Sequence, residues 1–351
     1  ARTLTYQGTI PSSTGTVTNN TYIGGRGSQS HSFHGEIDQV RIYDAALTSS
    51  QVTELYNEKP EVDTSNFKTV LYTGDGGTQY ISNVGFQPDL IWFKNRDQTD
   101  THRLHDSIRG ITRYVSTSST AGQVLISSGG PQSFDSNGFT TSSGGAYNAT
   151  NEDYVAWCWK GGGDAVTNQV GDLDSEVSAN DKGFSIVKWN TGSPTDSTHT
   201  IGHGLNIDGV ATTPEMIITK RLTSTSDWWV FIPQSISGVD PLTNRIKLNS
   251  SAAYASGSNF AALPTSTVFT AAPTSATNNN IIAYCFASVD GYSRIGGYDG
   301  SSSSQRIYVT DDGTSSGSGG FEPSWVMIKR TDSIAANWII YDKPRGNGDI
   351  E

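Results

Sequence analysis

The sequence predicts an all-β protein built from tandem β-sandwich domains, and three observations support this fold class. Of the 351 residues, 34% are hydrophobic, 16% are charged and 38 are glycines, so Gly, Ser, Thr and Asn replace many of the usual apolar and charged residues. Aromatic residues make up 10% of the chain, whereas disordered chains are poor in them. Apolar runs are short and separated by polar turn residues, which is typical of many short strands.

The charge of the chain argues against a nucleic-acid partner. It has 34 acidic and 23 basic residues and a formal net charge of −11, and nucleic-acid affinity comes largely from Lys and Arg that neutralise phosphates. No apolar run approaches the roughly 18–20 residues of a membrane-spanning helix, so we expect no membrane span. The first residues resemble a strand rather than a signal peptide, and we expect any export signal to lie outside this sequence.

Residues 1–60 end in a predicted strand and helix. Val40 and Ile42 alternate with polar residues, as in a half-buried strand. Thr48 or Ser49 can cap one short helix near 48–57. This stretch resembles the closing strand and helix of a laminin-G-like (concanavalin-type) jelly roll. The residues that carry the resemblance are Phe33, Gly35, Ile37, Asp38, Val40, Ile42, Tyr43, Leu47, Val52 and Leu55. It covers only the C-terminal part of such a domain.

The rest of the chain repeats one pattern three times. In each copy a Pro is followed six positions later by a Lys, with a largely apolar run between them. The pairs are Pro88 and Lys94, Pro214 and Lys220, and Pro323 and Lys329. A polar turn, a second run and a glycine follow, at Gly110, Gly238 and Gly346. Each unit predicts a β-hairpin with Pro just before its first strand, where no ladder hydrogen bond is needed.

Two copies share a closing segment, Tyr154–Trp159 and Ile281–Phe286, with the order Ala, aromatic, Cys, aromatic. Cys158 follows Pro88 by 70 residues and Cys285 follows Pro214 by 71. The cysteines therefore occupy equivalent places, and we expect buried, apolar thiols on a central strand rather than one disulfide. Trp157 and Trp159 should share one sheet face, with Cys158 on the other. The third copy stops before such a segment, so we expect both ends to be cut from a longer protein.

These patterns predict tandem β-sandwich (jelly-roll-like) domains. The predicted order is the end of a laminin-G-like jelly roll at 1–60, a linker at 61–66, the first repeat at 67–165, a linker at 166–182, the second repeat at 183–300 and the start of a truncated third repeat at 305–351. We expect the copies to stack into an elongated rod or a knob.

The repeated unit resembles an uncharacterised domain found in tandem in long structural proteins of marine tailed (cyanophage-like) phages, often beside laminin-G-like modules. The resemblance covers about 67–351 and rests on the hairpins, the closing segments and segment 289–296, which the first copy lacks. It implies a virion-surface or extracellular location and brings no catalytic residues with it. It also implies other virion proteins and copies of the chain itself, in a homo-oligomer, as partners.

Reactive motifs give little reason to expect an enzyme. A glycosidase needs one carboxyl group of raised pKa beside an ordinary one, but the acidic residues lie in polar loops that should leave pKa values ordinary. These residues are Asp75, Asp172, Asp174, Glu176, Asp311 and Asp312. His102 and His105 fit a solvated or packed strand better than a triad. We therefore expect no catalytic residues.

Metal binding has one weak candidate. Asp172, Asp174 and Glu176 alternate and can offer oxygen ligands to Ca²⁺, but a full calcium-loop signature is absent. His199 and His203 are spaced for a metal site on a helix, but the glycines flanking His203 favour a turn. No other cofactor is expected.

Exposed aromatic residues are the better candidates for function. Trp and Tyr stack on sugar faces, so we take Trp228, Trp229, Tyr292 and Tyr298 as candidate glycan-binding residues. Adjacent strand residues face opposite ways, so either Trp228 or Trp229 points away from the core unless both sheet faces are covered. Cover by another subunit explains this as well as a glycan does.

The leading hypothesis is a non-enzymatic structural or adhesion protein of a virion surface, such as a phage fibre, appendage or capsid decoration, that contacts host-surface polysaccharide. The alternative is an accessory carbohydrate-binding region of a secreted glycan-active enzyme, or a bacterial surface adhesin. A neighbouring catalytic domain would favour the enzyme.

Overall fold

The chain divides into two compact units, residues 1–60 and 61–351. The computed structural model describes residues 43, 46–49, 51–52, 66–192, 198–233, 240–257, 259–271, 278–332 and 335–346. No helix among these residues is long and apolar enough to cross a membrane.

In the first unit, Thr48 caps a helical turn as predicted. The Gln51 N–H donates to Thr48 Oγ1 at 3.3 Å, and the Gln51 side-chain oxygen accepts from the Thr48 N–H at 2.9 Å. This reciprocal pair satisfies two backbone donors at the helix start. The predicted strand at 39–42, the rest of the helix and the linker at 61–65 lie outside the described residues.

The first repeat is a six-stranded sheet facing a three-stranded sheet. Its strands are β1 (Phe67–Thr73), β2 (Gln79–Ile81), β3 (Leu90–Asn95), β4 (Arg103–Asp106), β5 (Arg113–Ser116), β6 (Val124–Leu125), β7 (Gly130–Asp135), β8 (Gly138–Ser142) and β9 (Asp153–Trp159). The large sheet has the order β1-β9-β3-β4-β5-β6 and the small sheet the order β2-β8-β7. A four-residue helix, α1 (Gly145–Asn148), precedes β9 and was not expected from the sequence.

The second repeat has the same plan with two extra strands at one edge. Its strands are β10 (Val166–Asn168), β11 (Ser175–Ala179), β12 (Phe184–Asn190), β13 (His199–Gly202), β14 (Asn206–Ile207), β15 (Val210–Ala211), β16 (Met216–Arg221), β17 (Trp229–Phe231), β18 (Asn244–Lys247), β19 (Ala255–Ser256), β20 (Phe260–Ala262), β21 (Val268–Ala271) and β22 (Asn280–Phe286). Its large sheet is β10-β11-β12-β22-β16-β17-β18-β19, its small sheet is β13-β21-β20, and β14 pairs with β15.

The two strand orders show that the repeats are copies of one fold. The series β12-β22-β16-β17-β18-β19 reproduces β1-β9-β3-β4-β5-β6 strand for strand, and the small sheets correspond in the same way. All named ladders in both copies are antiparallel. The all-β fold class predicted from the sequence is confirmed.

The linker predicted at 166–182 is corrected by the structure. This segment forms β10 and β11, which extend the edge of the second large sheet. Val177 and Ser178 of β11 are buried, but β10 is short and Val166 is 65% exposed. The apolar alternation that identifies strands is therefore too weak here to be recognised.

The third copy contributes a hairpin of β23 (Trp325–Ile328) and β24 (Ile339–Asp342). Trp325 lies opposite Asp342 as Leu90 lies opposite Asp106 in the first hairpin. The glycines that follow, Gly110 and Gly346, both have a φ of +85°, a conformation that favours glycine. The predicted equivalence of the hairpins is confirmed by their registers, whereas Gly238, predicted to close the second unit, lies outside the described residues.

One face of each large sheet packs against the small sheet of its own repeat. In the first repeat, Ile91 and Cys158 contribute to a cluster around Phe139. In the second, Ile217 and Cys285 contribute to a cluster with Phe269. Each repeat is therefore a sandwich with its own core, and the two unpaired cysteines are buried in equivalent places, as expected.

The opposite faces of the large sheets meet in one central core. Trp92 and Trp157 of the first repeat, Trp228 and Tyr284 of the second, and Ile340 of the third hairpin belong to this cluster. Trp159 lies here as well, so the predicted division of Trp157 and Trp159 from Cys158 is confirmed. The copies surround a shared core and do not stack end to end, because apolar burial is greatest when all three inner faces are covered together.

Replacing Trp228 tests the central core, with the adjacent Trp229 as a matched control. Trp228 is fully buried, whereas Trp229 is half-buried. We expect Trp228→Ala to lower the free energy of unfolding by about 3–5 kcal/mol. Trp229→Ala should cost roughly 1 kcal/mol. Urea unfolding followed by far-UV circular dichroism measures both, and equal losses would contradict a shared core.

Candidate functional site: the junction between the repeats

In the second and third hairpins, the lysine near the end of the first strand bonds to the preceding copy. Lys220 Nζ donates to Thr120 O at 2.9 Å, and Lys329 Nζ donates to Ser251 O at 3.2 Å. Thr120 and Ser251 are equivalent, since each lies four residues after its strand, β5 or β18. The second copy therefore docks on the first as the third hairpin docks on the second.

Lys220 is the most deeply placed of these lysines. It is 1% exposed, and its ammonium group also donates to Ser226 O at 2.6 Å. Burial lowers the pKa of Lys220 to about 8. A buried cation needs hydrogen-bond acceptors, and the two carbonyl groups come from two different copies.

A tryptophan in each of the later hairpins repeats the same docking. Trp228 Nε1 donates to Ser116 O at 2.7 Å, and Trp338 Nε1 donates to Lys247 O at 2.9 Å. Ser116 and Lys247 are the last residues of β5 and β18. The indole N–H groups thus fix the register between copies, because a buried indole donor requires a partner.

A buried ion pair joins the closing strand of the second copy to the first hairpin. Arg109 Nε donates to Asp106 Oδ2 at 2.5 Å, with the two side chains 1% and 0% exposed. The Tyr284 hydroxyl donates to the same oxygen at 2.8 Å. Burial raises the pKa of the Tyr284 phenol and the Asp106 carboxylate raises it further, so the phenol remains a donor.

The third hairpin holds an equivalent ion pair. Arg345 Nε donates to Asp342 Oδ2 at 2.7 Å, and both side chains are again almost fully buried. Trp157 Nε1 donates to this carboxylate at 2.9 Å. Trp157 and Tyr284 are equivalent residues of the closing strands of the first and second copies. Each donates a hydrogen bond to the aspartate of a buried ion pair in another copy: Trp157 to Asp342 of the third copy, and Tyr284 to Asp106 of the first.

The contact between copies made by the pairs Asp106–Arg109 and Asp342–Arg345 was not predicted from the sequence, although their shared Asp-x-x-Arg spacing is visible in it. Asp106 follows Pro88 by 18 residues and Asp342 follows Pro323 by 19, and each is followed three positions later by Arg. The second copy has no such pair at Ile232, so the recurrence appears in only two of three copies.

The two histidines of the first hairpin bond to neighbouring groups of the first repeat. His105 is fully buried, with Nδ1 2.6 Å from Ile111 O and Nε2 3.0 Å from the Tyr147 hydroxyl. Burial lowers the pKa of His105 to about 3. His102 Nδ1 accepts from Trp92 Nε1 at 2.8 Å, which requires that nitrogen to be unprotonated. For His105, which lies in β4, the packed-strand interpretation is confirmed, whereas His102 precedes β4 and is half-buried.

The weak calcium candidate is not assembled. Asp172 Oδ2 accepts from the Thr200 N–H, Asp174 accepts from Gln169, and Glu176 forms an ion pair with Lys188. The described part of the chain contains no group of three or more His, Cys, Asp or Glu residues that could hold a metal ion. His203, also weighed for metal binding, is buried and interacts with Thr265 O at 3.1 Å.

Four of the loop carboxylates have a pKa below the ordinary value expected for them. Backbone N–H groups lower the pKa of Asp75, Asp172 and Asp312, and hydrogen bonds from Ser318 lower that of Asp311. Burial instead raises the pKa of Asp89, whose Oδ2 accepts from the Gly161 N–H at 2.7 Å. The four loop carboxylates therefore have shifts opposite to the one a general acid needs.

The four candidate glycan-binding aromatics have different surroundings. Trp228 is fully buried in the central core and has no face to offer a sugar, because both sheet faces are covered. The Arg245 guanidinium lies 4.2 Å from the centre of the half-buried Trp229 ring. Tyr292 is half-buried and Tyr298 is 49% exposed, both beyond β22.

An open groove of about 400 Å³ runs beside β10 and β11. Val166, Asn168, Gln169, Ser178 and Gly204 contribute to its lining, which is aliphatic and polar. Sugar-binding sites use aromatic platforms, so the exposed tyrosine is a better candidate than this groove.

The two cysteines should be unreactive in the folded chain. Burial raises the pKa of the Cys158 thiol and raises that of Cys285 to about 12, so neither forms a thiolate readily at neutral pH. We expect no rapid labelling by a thiol-specific disulfide reagent at pH 8 and two labelled thiols after denaturation. A thiol that reacts quickly in the folded chain would contradict their burial.

His105 should make the chain sensitive to acid. Its pKa is about 3 in the folded chain and ordinarily 6.5, so between these values the unfolded chain binds a proton that the folded chain does not. The free energy of unfolding therefore falls as pH falls through this window, by up to about 1.4 kcal/mol per pH unit from this residue. We expect His105→Gln to reduce that slope in urea titrations between pH 7 and pH 4. An unchanged slope would contradict a neutral, buried imidazole.

Comparison with known families gives two matches. Residues 2–53 match the concanavalin A-like lectin/glucanases superfamily, in agreement with the laminin-G-like resemblance, and this suggests a carbohydrate-binding or adhesion-type domain. No curated protein and no solved structure matches the chain significantly. Residues 62–350 match a domain of unknown function, DUF7483. Because this match spans most of the sequence, the chain belongs to the DUF7483 family.

Proposed function

We propose that this chain is a non-catalytic structural and adhesion module of a virion surface, within a phage fibre, appendage or capsid decoration, and that it contacts host-surface glycans. The observation that carries the proposal is the use of buried ionisable groups as contacts between copies. Asp106 and Arg109 are 0% and 1% exposed and bond to Tyr284 of another copy. Such groups support an assembly and are poorly placed to meet a substrate.

Further support comes from the resemblance of the repeats to domains of marine phage structural proteins. The lectin-related match of residues 2–53 supports a role in adhesion. The net charge of −11 is compatible with a surface in saline water and incompatible with tight binding to phosphate backbones. The proposed partners are other virion proteins, further copies of this chain in a homo-oligomer and a host polysaccharide.

The glycan contact is assigned to the exposed aromatics. Tyr298 offers the largest exposed surface of the four candidates. The face of the Trp229 ring is in contact with the Arg245 guanidinium and the Lys247 ammonium group. A planar ring beside hydrogen-bonding groups can hold a sugar by stacking. Tyr298, supported by Tyr292, is therefore the preferred contact.

A glycan array probed with the recombinant chain tests this assignment. We expect binding to surface polysaccharides that Tyr298→Ala weakens roughly tenfold, the loss of one stacking contact. Tyr80→Ala is the matched control, because Tyr80 is 52% exposed but lies in the first repeat. Absence of binding across the array, or equal losses in both variants, would contradict the glycan contact.

Virion location needs a separate test. An antibody raised against residues 62–350 should label a defined appendage or lattice on particles from the source culture in electron micrographs. Labelling of secreted enzyme fractions instead would favour the alternative, an accessory region of a glycan-active enzyme. That alternative is favoured by the same match, since the superfamily name includes glucanases.

A further inference from the structure

The first and second repeats exchange the members of one cation–aromatic pair. In the first repeat, the Arg103 guanidinium of β4 lies 4.6 Å from the centre of the Tyr114 ring of β5. In the second, the Arg245 guanidinium of β18 lies 4.2 Å from the centre of the Trp229 ring of β17. The arginine and the aromatic residue are thus on opposite strands in the two copies.

The strand registers show that the two pairs occupy the same place in the sheet. β4 and β17 pair with the first hairpin strands in such a way that Arg103 and Trp229 are equivalent positions. β5 and β18 continue the same register, so that Tyr114 and Arg245 are equivalent as well. Both residues have changed while the contact remains, and a cation over an aromatic face is attractive even at exposed sites. The unit that both copies keep is therefore a guanidinium group against a ring.

The half-buried guanidinium of Arg245 has few partners. Its Nη1 donates to Asn259 Oδ1 at 3.4 Å, which is a long hydrogen bond. Its Nε is buried without a hydrogen-bond partner, and Arg245 forms no ion pair with any residue that the structure describes. A buried donor without a partner is costly unless water or an ion supplies an acceptor. The cation therefore has donor capacity that the described part of the chain leaves unused.

A second cation and a glycine lie beside this pair. The Lys247 ammonium group lies 5.3 Å from the centre of the Trp229 ring and pairs with Asp227 at 2.7 Å. At Gly257, φ is +106° and a Cβ atom would lie 3.2 Å from Arg245 Cζ. A side chain there would crowd the guanidinium group, so glycine keeps the space beside it open. In a chain of net charge −11, two cations thus meet at one half-buried ring.

We propose that Trp229, Arg245 and Lys247 form a binding subsite for an acidic sugar, one that carries a carboxylate or a sulfate group. The anion bonds to the guanidinium group, whose fork of donors matches planar and tetrahedral oxyanions. The sugar ring stacks on the exposed part of the indole. This rests on the proposed contact with a surface polysaccharide and names the chemical class of that polysaccharide. The contact at Tyr298 is a separate assignment.

The net charge of the chain decides which probes are suitable. A surface of −11 repels a long polyanion as a whole, whereas a short acidic sugar meets mainly the local charges, because salt screens charges more than about 8 Å away. Three oligosaccharides of equal length therefore serve as probes at physiological salt. One is built of uronic acids, one is sulfated and one is neutral.

Fluorine NMR of the 351-residue chain labelled with fluorinated tryptophan tests the proposal at the ring itself. The chain contains eight tryptophans, and the signal of Trp229 is identified by its loss in Trp229→Phe. We expect acidic probes to shift this signal saturably and the neutral probe to leave it in place. A shift with either acidic probe supports the subsite and identifies its anionic group. An equal shift with the neutral probe would overturn the acidic class.

Charge variants separate the subsite from the overall charge of the chain. Arg245→Gln removes the cation at the ring, and Lys160→Gln is the matched control, because Lys160 is exposed and follows β9 at the connection between the repeats. We expect Arg245→Gln to weaken binding of the acidic probe roughly tenfold and Lys160→Gln to change it little. Arg245→Lys keeps the charge without the fork of donors and should give an intermediate loss.

Equal affinities of Arg245→Gln and Lys160→Gln, or no shift with either acidic probe, would overturn the subsite. If binding on the glycan array still depends on Tyr298 in that case, the proposed function stands without this subsite, whereas an array without any binding would overturn both. The other tryptophan signals report whether each variant is folded. Because the comparison of probes requires no change in the protein, the test stands even if Arg245→Gln fails to fold.

Discussion

Both faces of each large sheet are apolar, and the need to cover both determines the rest of the structure. Trp157 and Cys158 are neighbours on β9, point to opposite faces and are both 0% exposed. Tyr284 and Cys285 repeat this on β22 at 1% and 0%. The small sheet of each repeat covers one face, and the other copies cover the second. A single repeat would leave a broad apolar surface in water, which is costly in free energy.

Polar groups inside the junction between the repeats fix the orientation of one copy relative to the next. The apolar contacts of the central core are not specific for orientation, whereas the donors at Lys220 and Trp228 need particular carbonyl groups on the first copy. Buried ion pairs seldom add much net stability, because removing charges from water is costly. Among the described residues, the pair at Arg109 even leaves one guanidinium nitrogen, Nη1, without a hydrogen-bond partner. Their clearest contribution is to select which faces meet and in which register.

Local patterns in the sequence predicted the local structure well. Alternation identified the three hairpins and the closing strands, and the position of Cys158 between two tryptophans predicted the sidedness of β9. These features depend on the period-two geometry of a strand, which is visible within a few residues.

The shared core could not be predicted in this way, because its contacts join residues more than a hundred positions apart, such as Trp228 and Ser116. The sequence therefore left open whether Trp228 faces solvent, a sugar or another subunit. Likewise, the residues of β10 and β11 do not by themselves predict strands. These segments form strands because they pair with the edge of the second large sheet. Tertiary context decides such segments.

The contact between Trp157 and Asp342 has a geometric consequence. In an open-ended array the first unit would never touch the third, and further units could be added without limit. Here the second unit binds the first, the third binds the second, and the first reaches back to the third through this indole and carboxylate. Heterologous interfaces of this kind form rings when the rotation closes. The three units therefore contact one another in a closed cycle, in which each unit contacts both of the others.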